Sequence, residues 1–250
     1  MDFPLVVKRP GAIAPVAAIY YEVAANGVFQ IRESEIYRAV TREEGRIPGL
    51  LPATEELELK LPRLPASLVE EVLGFFHAIY RRYRGEAIVI LFYEPKTREF
   101  RVAVPRQSLP GRRTADGRWR ARYAVRYCAV PRPPGFLRLG SIHSHADLPA
   151  SASEIDCEDE EWEDGLHVVV GDFDRADVSL SAAFVANRVR FRLRPEDVLE
   201  PCEVPQRWNR PEWIVRVRPE AAGDWSDRRS RPPRGADGCG VAGRDRGEES

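Results

Sequence analysis

Polar and apolar residues alternate in short runs through most of the chain, with one clear departure. From Ala66 to Tyr83, Leu68, Val72, Phe75, Phe76, Ile79 and Tyr80 recur at three- and four-residue spacings. That is the period of an amphipathic helix. Ser67, followed by Glu70, predicts a capping box at its start. His77 lies in this helix and reads as structural or exposed. Before it the period is two. Val16 to Val23 and Val28 to Arg32 flank Asn26-Gly27 and predict a hairpin closed by a type I′ turn. Ile36 to Val40 and Glu56 to Leu61 predict further strands. Residues 1–65 therefore read as a β-rich prefix with a small antiparallel sheet.

After the helix, Glu86 to Tyr93 is an almost unbroken apolar run, the pattern of a buried central strand. Phe100 to Val104 predicts the next strand. The Gly- and Arg-rich stretch Leu109 to Trp119 reads as an exposed loop. Trp119 to Val130 alternates with arginines on one face and predicts a single strand. Phe136 to His145 predicts another. Ser153 to about Trp162 reads as a short acidic helix, and Leu166 to Gly171, holding His167, as a strand. Val178 to Ala186 and Val189 to Leu193 flank Asn187-Arg188 as a final hairpin. Pro195 to Leu199 predicts a short helix, and Trp208, Trp213 and Val215 are expected to pack back on the domain. From about Arg218 the composition predicts disorder, because it offers too little apolar surface to offset the entropy of ordering. The expected organisation is a prefix (1–65), a main domain (66–200) and a C-terminal extension (201–250).

Composition narrows the function classes. The chain has 250 residues, of which 43% are hydrophobic, and a formal net charge of −1. It can bury a core, and it has no bulk field that favours nucleic acid or an anionic membrane. There are three lysines, Lys8, Lys60 and Lys96, so arginine carries nearly all the positive charge. No run of about 20 apolar residues predicts a membrane span. The first residues lack the apolar core of a signal peptide. Cys128, Cys157, Cys202 and Cys239 contain no C-x-x-C spacing, so a cysteine zinc knuckle is not expected. A reducing cytoplasm with free thiols fits this usage.

The chemistry concentrates between Leu139 and Asp156. His143 and His145 lie two positions apart at the end of a predicted strand, so both imidazoles leave the same face. Such a pair is half of a tetrahedral zinc site. Ser153-x-x-Asp156 reads as a helix cap in its own right, and it also offers a third ligand. His167 is an alternative ligand. Cys157, next to Asp156 on a helix that turns about 100° per residue, should point away.

The pattern His143-Ser144-His145, seven residues, Ser153, two residues, Asp156 resembles the JAMM motif of the JAB1/MPN/Mov34 metalloprotease family, with every internal spacing intact. The resemblance extends over roughly residues 65–190. It implies an α/β (α+β) fold: an MPN/JAB-like sandwich whose curved, mostly antiparallel sheet is flanked by helices in a cytidine-deaminase-like layering. It also implies one zinc ion held by His143, His145 and Asp156, with a fourth position left open. The family's catalytic Glu follows the first helix and opens a strand. Glu86 holds that place, 57 residues before His143. Glu94 and Glu99 are its competitors. Ser153 would donate to the developing oxyanion, and Ser144 is assigned to packing. Many relatives have Pro after the second histidine where this chain has Ala146.

The implied activity is hydrolysis of an amide bond by metal-activated water. The implied substrate is a protein or peptide, such as the C-terminal tail of a ubiquitin-like or sulfur-carrier-like protein. Two other readings stand beside it: a non-catalytic MPN-like scaffold that binds a partner, and a zinc amidase of a small metabolite. Scaffold members lose motif residues, and this chain keeps them all.

Overall fold

The computed structural model describes residues 4–43, 53–122, 124–205 and 207–221. The expectations for the tail after residue 221, Cys239 included, lie outside the described residues. Strands β1 (Leu5–Val7), β2 (Ile19–Ala24), β3 (Gly27–Glu33), β4 (Tyr37–Glu43) and β5 (Glu56–Leu59) form the first sheet, in that spatial order. Helix α1 (Ala66–Tyr83) follows. Next come β6 (Ile88–Glu94), β7 (Glu99–Ala103), β8 (Gln107–Arg113), β9 (Trp119–Ala121), β10 (Arg126–Tyr127) and β11 (Leu137–Ser144). Helix α2 (Glu154–Glu160) leads to β12 (Gly165–Gly171), β13 (Ser179–Ala186) and β14 (Val189–Leu193). Short helices α3 (Pro195–Val198) and α4 (Pro211–Ile214) precede β15 (Val217–Ala221). The described residues are thus mostly β, with three mixed sheets and 16% helix.

The central sheet has six strands in the order β14-β13-β12-β11-β6-β7. All its pairs are antiparallel except β11 with β12. One face carries Val89, Leu91, Ile142, Val168, Val170, Ala182 and Phe184, which pack with Val72, Phe75, Phe76 and Ile79 of α1 in the main core. Each fully buried side chain of this size contributes roughly 1.5–3 kcal/mol by leaving water. The other face holds Ile88, Ile90, Phe92 and Phe136, a smaller apolar cluster, beside the polar row Ser141, His143 and His167. Gly140 is needed where β11 bulges against β6 and passes close to β12. It has φ 147°, and a Cβ there would lie 2.0 Å from the carbonyl oxygen of Leu166.

The first sheet packs on the central one through its inner face. Ile36, Tyr37 and Ala39 join the main core. Asp164 is the polar hub of the joint: it accepts from the Arg32 guanidinium, from Tyr37 Oη at 3.1 Å and from the Asn187 amide at 2.8 Å. Burial, with the Asp164 charge beside it, pushes the Tyr37 phenol up to about 12.

Several sequence expectations need correction. Helix α1 spans the predicted residues, but Ser67 does not cap it. The N-cap is Pro65, without a side-chain cap, and the Ala66 amide instead donates to Glu200 Oε2 at 2.9 Å. The β2–β3 turn is Ala25-Asn26 rather than an Asn-Gly type I′ turn, and Asn26 bonds to the backbone of Ala53. Positive φ at both central residues occurs in the other hairpin, at Asn187 (50°) and Arg188 (68°). The predicted loop from Leu109 begins as strand β8, in a four-stranded sheet with β9, β10 and β15. The predicted strand Trp119 to Val130 is two short strands, β9 and β10. Residues 218–221, expected to be disordered, belong to β15, which runs parallel to β8. Trp208 and Trp213 pack on the core as expected, whereas Val215 is 70% exposed.

Phe76→Ala should destabilise the protein by about 3–5 kcal/mol, the usual cost of emptying a fully buried aromatic site. Chemical denaturation of the two proteins measures it. A loss under 1 kcal/mol would mean that α1 does not carry the core.

Candidate metal centre

His143 leaves β11 on the face away from α1, opposite Ile88 of β6 and Val169 of β12. His145 lies one residue past the strand, but its amide still donates to the Val170 carbonyl at 2.8 Å. The ladder therefore continues, and the two imidazoles lie side by side with ring centroids 5.0 Å apart. The chain then turns sharply. Ala146 is fully buried with φ 52°. A proline ring fixes φ near −65°, so this backbone path is closed to proline.

The loop from Ala146 to Ser153 is pinned to the end of β12. The Asp172 amide donates to the Leu148 carbonyl at 2.8 Å and the Phe173 amide to the Ala146 carbonyl at 3.0 Å. The Ala150 amide donates to Ser179 Oγ at 3.0 Å, and that hydroxyl donates to Asp172 Oδ2 at 2.5 Å. Gly171 allows the crossing, since a Cβ there would lie 2.2 Å from the Leu148 oxygen. The loop delivers Ser153 as N-cap of α2. Ser153 Oγ accepts from the Asp156 amide at 3.2 Å, and the Ser153 amide donates to Asp156 Oδ2 at 2.7 Å, a complete capping box.

Three donor atoms converge. His143 Nε2 and His145 Nε2 are 3.2 Å apart, His145 Nε2 and Asp156 Oδ2 are 3.1 Å apart, and His143 Nε2 and Asp156 Oδ1 are 3.4 Å apart. Tetrahedral bonds of the length typical for zinc place neighbouring ligand atoms about 3.3–3.5 Å apart. The triangle of donors has nearly those edges, so these residues fit a metal ion, and they form a possible metal-binding triad. Both histidines are buried, at 6% and 7% exposure. His167, the alternative ligand, is turned away into hydrogen bonds with Ser141 and the Glu163 carbonyl. Cys157 is exposed and free.

The electrostatics favour a cation. Burial works against charge on Asp156, but hydrogen bonds from His143, His145 and Ser153 outweigh it and hold the carboxyl well below its ordinary range. Burial lowers His143, and the Asp156 hydrogen bond and charge, with Glu160 and Glu86, more than reverse that. Glu86 is 8% exposed, and burial pushes it up to about 7 against the opposing pull of His145 and His143. Glu94 and Glu99 are both remote. β6 runs from Ile88, opposite His143, to Glu94, six residues or about 20 Å along the strand. Glu94 there accepts the amides of Lys96 and Thr97, and Glu99 pairs with Arg101.

Two residues hold the backbone beside Glu86. Ser144 is more than packing: its Oγ accepts from the Ala87 amide and its own amide donates to the Ala87 carbonyl, both at 2.9 Å. Gln107 was missed by sequence reasoning. Its side-chain amide accepts from the Ile88 amide at 2.9 Å and donates to the Ile88 carbonyl at 3.0 Å. It thus occupies the ladder position beyond the end of β7. Pro110 and Gly111 made the stretch look like a loop. Fully buried Leu109 in that polar stretch was the available signal of a strand. Ser153 Oγ also donates to Asp156 Oδ2, at 2.6 Å, so its proton faces the ligand in this arrangement.

Comparison of the chain with protein-family models, characterised proteins and solved structures finds no match.

In the metal-free protein, a carboxyl raised from its ordinary value to about 7 binds more protons folded than unfolded between those two values. Stability should therefore fall as pH rises through that window. Glu86→Gln should remove the penalty and be more stable than the unmodified chain at pH 8, by about 2–3 kcal/mol, with the gap closing below pH 5. Urea denaturation across pH tests this, and equal stability of the two proteins at pH 8 would place Glu86 in water.

Proposed function

We propose that this protein is a zinc-dependent peptidase or isopeptidase with an MPN/JAB-like domain, acting on the C-terminal tail of a ubiquitin-like or sulfur-carrier-like protein. The observation that carries the reading is the triangle of His143 Nε2, His145 Nε2 and Asp156 at tetrahedral-edge distances, with the buried Glu86 beside it. The five-point JAMM spacing supports the same conclusion from the sequence.

His143, His145 and Asp156 would hold the ion. Zinc with three protein ligands lowers the pKa of a bound water to about 7, supplying hydroxide at neutral pH. Glu86 sits in the main-chain run that Ser144 and Gln107 fix at Ala87 and Ile88. Buried beside the triad, its carboxyl is placed to serve both halves of a proton transfer. It takes a proton from the attacking water on its carboxylate and returns it to the nitrogen of the departing amine. The acyl group is never joined to a side chain of this protein. Ser153 holds Asp156 in place. Rotation about χ1 would free its hydroxyl to donate to the oxygen of the scissile carbonyl, a contact whose loss costs roughly 10²–10³ in rate in comparable sites. The apolar cluster of Ile88, Ile90, Phe92 and Phe136 keeps the sheet face next to the histidines dry.

The first experiment is metal content of the purified full chain. About one zinc per chain is expected, and none after His143→Ala/His145→Ala. Glu86→Gln should keep its zinc and lose turnover on ubiquitin-like conjugates by roughly 10²–10⁴. Full activity in Glu86→Gln would remove it as the base. No zinc in the unmodified chain, even after loading, would leave a capped helix beside two ordinary histidines, and a partner-binding scaffold would be the better reading.

A further inference from the structure

Helix α2, which carries Asp156, rests on the central sheet in an uncommon way. A helix normally lies on its support through an apolar stripe. Among the described side chains of α2, the buried one is Glu160, at 7% exposure. Its Oε2 accepts from Arg190 of β14, and its Oε1 lies 3.6 Å from Nδ1 of His167 on β12.

His167 is itself 1% exposed, with both ring nitrogens engaged. Nε2 lies 3.1 Å from the Glu163 carbonyl, and Nδ1 lies 3.1 Å from Ser141 Oγ. A carbonyl only accepts, so Nε2 donates there and Nδ1 accepts the Ser141 hydroxyl. The imidazole thus ties the chain just after α2 to β11, the strand that bears His143. Arg188 pairs with Glu161 farther out, with the arginine side chain 57% exposed. Asp156 and Glu160 are four residues apart, on one face of the helix.

We propose that Glu160, gripped by Arg190, is a positioning residue for the metal centre. It seats α2 on the sheet so that the Asp156 carboxylate reaches His143 and His145. The inference needs the triad to bind a metal and is independent of the reaction that follows.

Charge alone makes the opposite prediction, which gives the test its sign. Arg190→Met removes a positive charge and would, by Coulomb attraction alone, tighten the binding of a cation. Loss of the seat weakens it. The experiment is zinc(II) affinity of the full chain by chelator competition, with the visible spectrum of the cobalt(II) form as a report on ligand geometry. Arg190→Met should bind zinc roughly 10–100-fold more weakly, the usual effect of losing a partner behind the ligands. Its cobalt spectrum should move toward that of Asp156→Ala. Arg188→Met, at the exposed pair, should bind within about twofold of the unmodified chain, since exposed ion pairs hold little.

Heat unfolding of the metal-free variants checks that each folds. If Arg190→Met does not fold, Arg190→Lys decides, because it keeps the charge and loses the planar fork. A severalfold weaker affinity is expected, and an unchanged one overturns the proposal. Zinc affinity in Arg190→Met equal to or tighter than that of the unmodified chain also overturns it, as does an equal loss in Arg188→Met. Absence of zinc binding in the unmodified chain overturns the metal centre itself, a result distinct from failure of the seat alone.

Discussion

Two imidazole nitrogens turned toward one point, 3.2 Å apart and away from water, make an arrangement that a chain does not hold without reinforcement. Neighbouring imidazoles repel when both are charged, and when neutral they satisfy each other only when the two rings take opposite tautomers. The geometry therefore has to be imposed by the backbone. β11 imposes it, because it is paired on both sides, and the His145 amide extends that pairing one residue past the strand. Helix α1 supplies the dry backing on the opposite face, where Ile142 alternates with the histidines. Asp156 supplies the negative charge that makes the convergence favourable, and its own capping box keeps it pointed inward.

Much of this was legible in the sequence, for definite reasons. A fixed side-chain period of two is enough to place His143 and His145 on one face. The three-residue reach of a capping box placed Ser153 and Asp156 together at the start of α2. The apolar run after Glu86 located the central strand, and burial of its mouth followed. What the sequence left hidden depends on partners far away along the chain. The Ala66 amide is served by Glu200, and Ser67 does not cap the helix, because the helix begins two residues too early for it. β8 contains Pro110 and Gly111, poor strand residues, and exists as a strand because β10, β9 and β15 pair with it. The run from Trp119 breaks into two strands although its alternation is regular. Ala146 looked like a simple absence of proline, whereas its left-handed backbone is the reason proline does not fit.

The acidic stretch after Asp156 shows the same limit. From the sequence it reads as a solvated face, but only Glu154, Glu158 and Asp159 are exposed, and Glu161, Glu163 and Asp164 are half-buried. Glu160 is buried, and the register of β12 and β14 reveals why: those strands bring His167 and Arg190 to the place where α2 ends. Asp164, at the end of the same stretch, receives Arg32 and Tyr37 from the first sheet. A single run of acids thus contains a member of the candidate metal triad, a helix anchor and an inter-sheet hub, separated only by which partners the fold brings to each.

Gln107 has a consequence in the order of synthesis. The whole candidate triad has been made once residue 156 is in place, and the sheet that bears the histidines is complete at Leu193. The side chain that completes the ladder at Ile88 belongs to β8, whose Gln107 and Leu109 lie beside Val217 and Pro219 of β15. The Gln107 amide also donates to the carbonyl of Arg216. A nascent chain can therefore bring His143, His145 and Asp156 together while the support beside Glu86 still lacks its outermost strand. The candidate triad is complete before the backbone that holds Glu86, and the last described strand of the chain is the one that completes that backbone.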